Sequence, residues 1–368
     1  MMASPAVPLI NPYIAGNPVH GNMGFFGRRG VLRQVERILA APGQNAVVLF
    51  GQRRVGKTSI LLQLQHSLPP EPYTVIYHDL QDKARLPMGE LLSELADELT
   101  FALNLEDCTE PFDDQGRAFQ RNFLPQVYDH LQDPNQRLVL LFDEFDVLDV
   151  VQRERLPDNA AANQLFPMLR RWMREEPRLA FVFALGRNLH DLDGEFLSTF
   201  KGSQTVRVSV LTRDEAIELI TSPESLRYSD DAIERIVTLT NGHPHLTQLL
   251  CSLCFDRACD QHDELPSAIP SITESDVDAL VPLLFSRGEN IFAWIWDGLP
   301  PAERIISSAL AELFTDDNMT ATEDEIEAAL RNEGIRVITR DLQISPKNLV
   351  EWQLLEEHEK GQYRFLAV

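Results

Sequence analysis

The sequence predicts an α/β fold in which a parallel β-sheet carries helices on both faces and is followed by a mainly helical second half. Between residues 46 and 211, short apolar strand candidates alternate with helical segments, the order that produces a doubly covered parallel sheet. After residue 211, helical periodicity continues until a final pair of short strand candidates. The first 25 residues are rich in Pro, Gly and Asn and are predicted to form an extended arm.

Apolar periodicity predicts the elements of the first half. A helix begins near Gly30, because Leu32, Val35 and Leu39 recur three or four residues apart. Strands are predicted at residues 46–50, 73–80, 137–144, 178–185 and 204–211. Helices are predicted near residues 57–68, 87–104, 116–132 and 161–174.

The segment GQRRVGKTS begins where the first predicted strand ends, and it fits the pattern G-x-x-x-x-G-K-[ST]. Glycines at these positions let backbone N–H groups surround phosphate oxygens, the lysine reaches the outer phosphates, and the hydroxyl ligates Mg²⁺. Because a strand precedes the motif and a helix follows it, we predict a P-loop NTPase core. The predicted phosphate-binding residues are Gly51, Arg54, Val55, Gly56, Lys57, Thr58 and Ser59.

Two acids at the end of another strand supply the second part that phosphoryl chemistry needs. Asp143 and Glu144 end the apolar run LVLLFDE. We predict that Asp143 and Thr58 hold Mg²⁺ and that Glu144 polarises the attacking water, because hydrolysis depends on positioning and charge neutralisation. Arg187 follows the next strand and is predicted to sense the terminal phosphate. Lys57, Asp143, Glu144 and Arg187 form the predicted catalytic set.

Charge is distributed unevenly along the 368 residues, whose formal net charge is −23. Residues 1–58 contain seven Lys or Arg against the single acid Glu36, so positive charge is concentrated around the phosphate motif. The acidic remainder argues against a broad nucleic-acid surface, which needs clustered Lys and Arg. No apolar run approaches the roughly 20 residues that span a bilayer, and the N-terminus does not resemble a signal peptide. We therefore expect a cytoplasmic protein without a membrane partner.

The second half is predicted to contain two further domains. A helical lid over residues 212–290 begins with a capping box formed by Thr212 and Glu215. Three helices and a two-stranded wing then predict a winged-helix domain over residues 291–368, after an NTPase core over residues 26–211. Residues 297–368 contain seven basic and fifteen acidic side chains, which favours a protein partner over a DNA duplex.

Five blocks in a fixed order carry a family resemblance: FFGRRGVLRQVERIL, GQRRVGKTSILLQL, LLFDEFDVL, FALGRN and YSDDAIERIVTLTNGHPHLTQLLC. Together they resemble the bacterial branch of the STAND NTPases, signalling relatives of AAA+ proteins that include the NACHT and NB-ARC classes. The resemblance runs from about Asn11 to the end of the chain. It implies an adenine pocket that begins at Phe26, Gly27 and Arg28, although Arg29 stands where the family usually has Glu.

The same resemblance implies a second nucleotide contact, in the lid. The family's Gly-x-Pro turn corresponds to Gly242, His243 and Pro244, with the proline on the adenine and the middle residue near the phosphates. From the residues alone this turn is equally well explained as a structural helix start, because Gly permits a tight turn and Pro favours the first helical position.

The function that the resemblance implies is an ATP/ADP switch that uses Mg²⁺. Such proteins hydrolyse ATP slowly, retain ADP in a closed monomer, and open with ATP into a homo-oligomer that activates an effector. Family members usually also carry a sensor or effector domain. We therefore expect that this sequence is part of a longer protein or that the effector or sensor is a separate polypeptide.

Two rival functions remain open at the level of the sequence. A DNA-dependent AAA+ ATPase of the origin-recognition or transposition-regulator kind would share the P-loop core and the winged helix, although the acidic C-terminal segment disfavours it. A scaffold whose nucleotide is purely structural is the other. The choice of adenine over guanine rests on the resemblance, because a P-loop contacts only phosphates.

Overall fold

The computed structural model describes residues 10–21, 24–106, 111–131, 133–150, 156–186, 194–261, 270–314 and 319–366. The chain divides into two compact units. The first, which we call the helical unit, comprises Met1–Gly27, Gln52–Val55 and Ser209–Val368. The second, the sheet unit, comprises Arg28–Gly51 and Gly56–Val208. No helix among the described residues is both long enough and apolar enough to cross a membrane.

The sheet unit contains the predicted parallel sheet, with five strands in the order β2-β3-β4-β1-β5. The central strands form because their apolar runs can be buried on both faces, and all seven residues of β4 are buried. The strands are β1 Ala46–Phe50, β2 Tyr73–Asp79, β3 Arg137–Asp143, β4 Leu179–Leu185 and β5 Gln204–Arg207.

The fifth strand is shorter than the predicted segment 204–211, because the backbone after Val208 forms hydrogen bonds outside the sheet. The N–H of Val208 still donates to Phe50 O at 2.8 Å. Within the helical unit, the N–H of Val210 donates to the side chain of Gln353 at 3.1 Å and that of Leu211 to Gly242 O at 2.9 Å.

Helices flank the sheet in the sequence order that the periodicity predicts. The predicted helix at 116–132 is instead a π-helical turn, Phe119–Phe123, that continues into an α-helix whose second residue, Pro125, lacks an N–H donor. The α-helices are α1 Arg29–Ala40, α2 Lys57–Ser67, α3 Met88–Leu103, α4 Leu124–His130, α5 Val147–Val150, α6 Ala161–Glu175 and α7 Gly194–Thr199.

Aromatic packing forms the core of the sheet unit below the ends of β3 and β4. The ring of Phe145 lies 4.7 Å from that of Phe183, edge to face, and the stacked rings of Phe142 and Phe183 are 5.8 Å apart. All three side chains are at most 1% exposed. Because Phe145 follows Asp143 and Glu144 in sequence, this core anchors the segment that carries both predicted site acids.

The N-terminal half of the helical unit is built from four helices around one apolar core. The capping box of Thr212 and Glu215 is present as predicted. The extended arm reaches the same core, because the Tyr13 hydroxyl donates to Ile220 O at 2.7 Å. The elements are α8 Arg213–Thr221, β6 Arg227–Tyr228, α9 Asp230–Thr240, α10 Pro244–Gln261, β7 Ser271–Ile272 and α11 Glu274–Gly298.

The C-terminal part of the helical unit has its own apolar core and a three-stranded sheet in the order β8-β10-β9. The predicted turn of the last hairpin is present, with Gly361 at φ 80°. The elements are α12 Pro301–Leu313, β8 Ala321–Thr322, α13 Glu323–Asn332, α14 Thr339–Glu351, β9 Leu355–Glu359 and β10 Gln362–Phe365.

Two features here differ from the predicted pattern. Helix α14 begins at Thr339 and contains Pro346, whereas the sequence suggests a helix that starts at that proline. Helix α11 is continuous to Gly298, so the predicted boundary between lid and winged helix at 290/291 lies inside a helix. The division into four domains itself stays a prediction.

Candidate functional site

The phosphate motif lies between β1 and α2, as its chemistry requires. Gly51 ends the strand with φ 159°, and Gly56 caps the helix with φ 95°, a left-handed conformation that side chains rarely adopt. Helix α2 begins at Lys57, so its first N–H groups and its positive dipole end face the loop. This geometry can bind an anion with backbone donors alone.

Lys57 is buried inside the loop. Its side chain is 7% exposed, and Nζ donates to Gly51 O at 3.1 Å. The ammonium group is thus held next to the carbonyl of the residue that follows β1. Val55 and Ser59, two further predicted binding residues, are buried as well.

Asp143 ends β3 and is the centre of a hydrogen-bonded group. It is 3% exposed, and its carboxylate accepts from the Thr58 side chain, from the Glu144 N–H at 2.9 Å, and from the Tyr77 hydroxyl at 3.0 Å. Burial raises the pKa of Asp143, and the three hydrogen bonds oppose that change. A buried carboxylate beside a threonine hydroxyl is a suitable ligand pair for a divalent cation, whose charge would offset the burial.

Tyr77 is a residue that sequence reasoning missed. It lies on β2, two residues before Asp79, the register partner of Asp143. Burial first, and then the neighbouring carboxylates, raise the pKa of Tyr77, so it remains a hydrogen-bond donor to Asp143. The available signal was its position near the carboxyl end of a strand adjacent to β3, where side chains of neighbouring parallel strands converge.

Glu144 is half-buried and adopts a left-handed backbone conformation with φ 48°. A non-glycine residue in this region marks a turn that its surroundings hold in place. The next N–H, of Phe145, donates to Ala184 O at 3.0 Å. The backbone therefore leaves β3 sharply at Glu144.

The ends of β3 and β4 are tied together by Asp146. Its side chain is 1% exposed, and Oδ1 accepts from the Gly186 N–H at 2.8 Å. The predicted phosphate sensor Arg187 is the next residue in the chain and lies outside the described residues. Asp146 thus holds the backbone that leads into Arg187.

The segment that the resemblance assigns to adenine contains two consecutive left-handed residues. Phe26 is half-buried and packs on the core of the helical unit. Gly27 has φ 65°, and a Cβ atom there would lie 2.4 Å from the Glu215 side chain, so any other residue would strain the backbone and displace Glu215. Arg28 has φ 62° and is 7% exposed.

The lid turn is also held by a close backbone approach. Gly242 has φ 65°, and a Cβ atom there would lie 2.5 Å from Leu211 O. His243 is buried and its N–H donates to Thr240 O at 2.8 Å, while half-buried Pro244 is the first residue of α10. The structural explanation of Gly242 is therefore sufficient, and the nucleotide contact of this turn stays a prediction.

Arg54, inside the phosphate motif, contacts two residues of the helical unit to which it belongs. Its guanidinium carbon lies 4.6 Å from the centroid of the Trp294 ring. Its Nη1 lies 3.4 Å from Nδ1 of His245, the second residue of α10. Burial, followed by the charge of Arg54, lowers the pKa of His245 to about 4, so the imidazole is neutral near pH 7 and Nδ1 can accept a hydrogen bond from the guanidinium.

The predicted site residues thus fall into two groups. In the sheet unit, Lys57 contacts Gly51 and Thr58 contacts Asp143, with Glu144 next in the chain. In the helical unit lie Gly27, Arg54, Val55 and the turn Gly242–Pro244. The structure brings together the members of the first group, which the motif spacing predicts as phosphate and metal ligands.

Comparison with known proteins supports a P-loop fold. Residues 41–192 match the AAA domain family. The fold is similar to that of the Walker-type ATPase PABY2304 of Pyrococcus abyssi, with a TM-score of 0.61, 15% identity and 96% of each chain covered. No curated protein sequence matches the chain.

Two further solved structures are similar at lower scores. Orc1 of Aeropyrum pernix, solved in complex with DNA, has a TM-score of 0.45 and 16% identity, covering 94% of this chain and 89% of that one. The Holliday junction branch migration motor RuvB of Thermotoga maritima has a TM-score of 0.47 and 16% identity, covering 92% of each. The likeness that bears on the architecture is the one to the Walker-type ATPase, and it shows that the chain has a P-loop NTPase-like fold.

Proposed function

We propose that this protein is an ATP/ADP switch of the STAND type with slow ATPase activity. The observation that carries the proposal is the hydrogen bond between Thr58 and buried Asp143, beside the buried ammonium group of Lys57. These are the groups that a Mg²⁺–nucleotide complex requires: Thr58 contacts Asp143, Lys57 contacts Gly51, and all four residues belong to one compact unit. The order of the sequence blocks from FFGRR to the NGHP turn supports the switch over other P-loop functions.

Each residue has a stated role in the proposal. The loop N–H groups and Lys57 bind the phosphates, and Thr58 and Asp143 would hold Mg²⁺, which supplies positive charge against the developing negative charge. Glu144 orients the attacking water. Arg187 senses the outer phosphate, and the backbone before it is held by Asp146.

A switch requires that the nucleotide favours one arrangement of domains over another. In the proposal, the phosphates bind the motif, while Phe26–Arg28 and Pro244 contact the adenine. ATP and ADP then shift the population by their differential affinity for the closed and open forms.

The deciding experiment identifies the nucleotide that copurifies and measures molar mass by light scattering with ADP and with a non-hydrolysable ATP analogue. We expect bound ADP, a monomer with ADP and a larger species with the analogue. Lys57→Ala should abolish the nucleotide dependence, because it removes the phosphate-binding charge. Rapid turnover by a monomer, stimulated by DNA, would contradict the switch.

The C-terminal part of the helical unit, α12 to β10, is proposed to be a winged-helix domain, because three helices precede a hairpin in a three-stranded sheet. One observation there favours the DNA-dependent alternative. Four of its seven basic residues lie within 331–347, and Arg340, Gln343 and Lys347 share the exposed face of α14. An exposed helix face with these residue types suits a DNA groove.

Fluorescence titration with duplex DNA at low salt separates the two functions. The acidic surroundings of α14 predict no binding for the switch. Binding that weakens steeply with salt, and that Arg340→Ala and Lys347→Ala both reduce, would establish the DNA-dependent alternative. Arg304→Ala is the matched control, because Arg304 lies on α12 and donates to Leu299 O instead.

A further inference from the structure

The backbone of Arg54 adopts a conformation that needs support. Arg54 is the third of four residues between Gly51 and Gly56, and its φ is 58°. Non-glycine residues avoid this left-handed region because Cβ approaches the following carbonyl oxygen. Such residues persist where surrounding contacts hold them, and the half-buried side chain of Arg54 makes two specific contacts.

The contacts combine cation–π attraction with a hydrogen bond. The guanidinium carbon lies 4.6 Å from the centroid of the Trp294 ring, within the range where the negative ring face attracts a cation. On the other side, Nη1 lies 3.4 Å from His245 Nδ1. Because the imidazole is neutral near pH 7, it accepts from the guanidinium without charge repulsion.

The positions of the two partners show what Arg54 connects. His245 follows Pro244 directly at the start of α10, and Trp294 lies on α11. Arg54 therefore attaches Gln52–Val55, the centre of the phosphate motif, to helices α10 and α11 of the same unit. The adjacent Arg53 is exposed, so the two arginines of the motif have different surroundings.

We infer that Arg54 is a positioning residue of the phosphate loop. By resting on Trp294 and His245, it keeps Gln52–Val55 in the conformation that directs backbone N–H groups at phosphate. The inference rests on the proposed nucleotide binding. It states that the Arg54 side chain stabilises the loop and does not itself contact the phosphate. Loss of the contact should therefore weaken nucleotide binding.

Calorimetric titration of the full chain with ADP and Mg²⁺ tests this inference. We expect Arg54→Ala to weaken ADP binding roughly 3- to 30-fold, the range of a partly desolvated cation–π contact. Arg54→Lys should recover part of the loss, because an ammonium group keeps the charge over the ring. Arg53→Ala, the matched control in the same loop, should bind as wild type. In single-turnover hydrolysis at saturating ATP, the rate of Arg53→Ala should match that of the wild type.

A double-mutant cycle separates positioning from direct phosphate contact. Trp294→Ala should weaken ADP binding in the wild-type background and have no further effect when Arg54 is already alanine. Trp294→Phe keeps an aromatic face and should bind ADP nearly as the wild type does. It is the control for a folding defect caused by the smaller alanine side chain.

The outcomes distinguish this inference from the proposed function. If the wild type binds ADP but Arg54→Ala binds equally well, or if Trp294→Ala weakens ADP equally in both backgrounds, the positioning role is wrong and the switch proposal stands. If the wild type binds no adenine nucleotide at all, the proposed function itself is wrong.

Discussion

At the scale of single residues, the chemistry of the site depends on the burial of Asp143. A carboxylate that is 3% exposed gains most from a cation, because little water is available to solvate its charge. The hydrogen bonds from Thr58 and Tyr77 orient its two oxygen atoms. The sequence indicates the aspartate, whereas Tyr77 comes from β2, a strand 58 residues or more earlier in the chain, and only strand pairing brings it near.

Asp143→Asn should abolish the Mg²⁺ dependence of ADP binding while the protein stays folded. The amide keeps the shape of the side chain but removes the charge that a divalent cation requires. Calorimetric titration with ADP, with and without Mg²⁺, measures the effect. Asp79→Asn is the matched control, because Asp79 ends the neighbouring strand in register with Asp143. A Mg²⁺ dependence that survives in Asp143→Asn would contradict the assignment.

Gly242→Ala should lower the free energy of unfolding by about 2 to 4 kcal/mol, since it adds a steric clash to an unfavourable φ. The added methyl group would lie 2.5 Å from Leu211 O, and φ is 65°. Gly334→Ala is the control for φ alone: its φ is 75° with no atom within 4 Å of the added carbon, so we expect a loss of about 1 kcal/mol. Urea denaturation followed by circular dichroism measures both. Equal losses of unfolding free energy in the two variants would mean that Leu211 O does not restrict the space at position 242.

At the scale of elements, the strongly apolar segments are predictable and the weakly patterned ones are not. Strands β1, β3 and β4 each contain a continuous apolar run, so their existence follows from the sequence, and so do their bounds to within one residue. Strand β8 has two residues, too few for any alternation, and it exists only because β10 offers it a partner. Helix α14 begins seven residues before Pro346 because packing in the C-terminal core outweighs the usual preference of proline for helix starts.

The start of helix α10 makes stability depend on pH through His245. Its pKa in the folded protein is lowered to about 4, by burial first and then by Arg54, so the unfolded chain binds a proton more readily. The contribution of neutral His245 to the free energy of unfolding is therefore fully present above about pH 6.5, and it is lost as the pH falls toward 4.

The measurement compares the free energy of unfolding of the wild type with that of His245→Gln, in which this position does not titrate. Relative to the variant, the wild type should lose about 1 to 3 kcal/mol between pH 6.5 and pH 4, allowing for the partial exposure of the ring. His66→Gln is the control, since His66 is exposed on α2. Parallel curves for the wild type and His245→Gln would show that the ring is not held neutral.

At the scale of the whole molecule, a substitution at Glu144 distinguishes the proposed switch from a scaffold whose nucleotide is purely structural. Glu144→Gln keeps the side-chain shape but removes the carboxylate that we propose orients the attacking water. We expect ATP to accumulate on the protein and a larger species to persist in light scattering after ATP addition. In a scaffold with a structural nucleotide, the variant and the wild type would have the same mass and the same bound nucleotide. Glu176→Gln, a glutamate away from the motif, is the control.

The charge distribution also belongs to this scale. The chain has 33 basic and 56 acidic residues, yet the first 58 residues have a basic excess. Composition therefore predicts where an anion would bind without any structural information. It does not predict that Arg53 is exposed and Arg54 rests on Trp294, because both lie in the same motif and are the same residue type.

The sequence by itself determined the alternation of the main strands and helices, the P-loop motif, and the acids Asp143 and Glu144 at the end of β3, because local periodicity and motif spacing encode them. Tertiary structure alone decided which residues share a site: Tyr77 with Asp143, Asp146 with Gly186, Glu215 with Gly27, and Arg54 with Trp294. These contacts join residues 40 to 240 positions apart. No local pattern encodes them, because they arise only when strand pairing and core packing bring distant segments together.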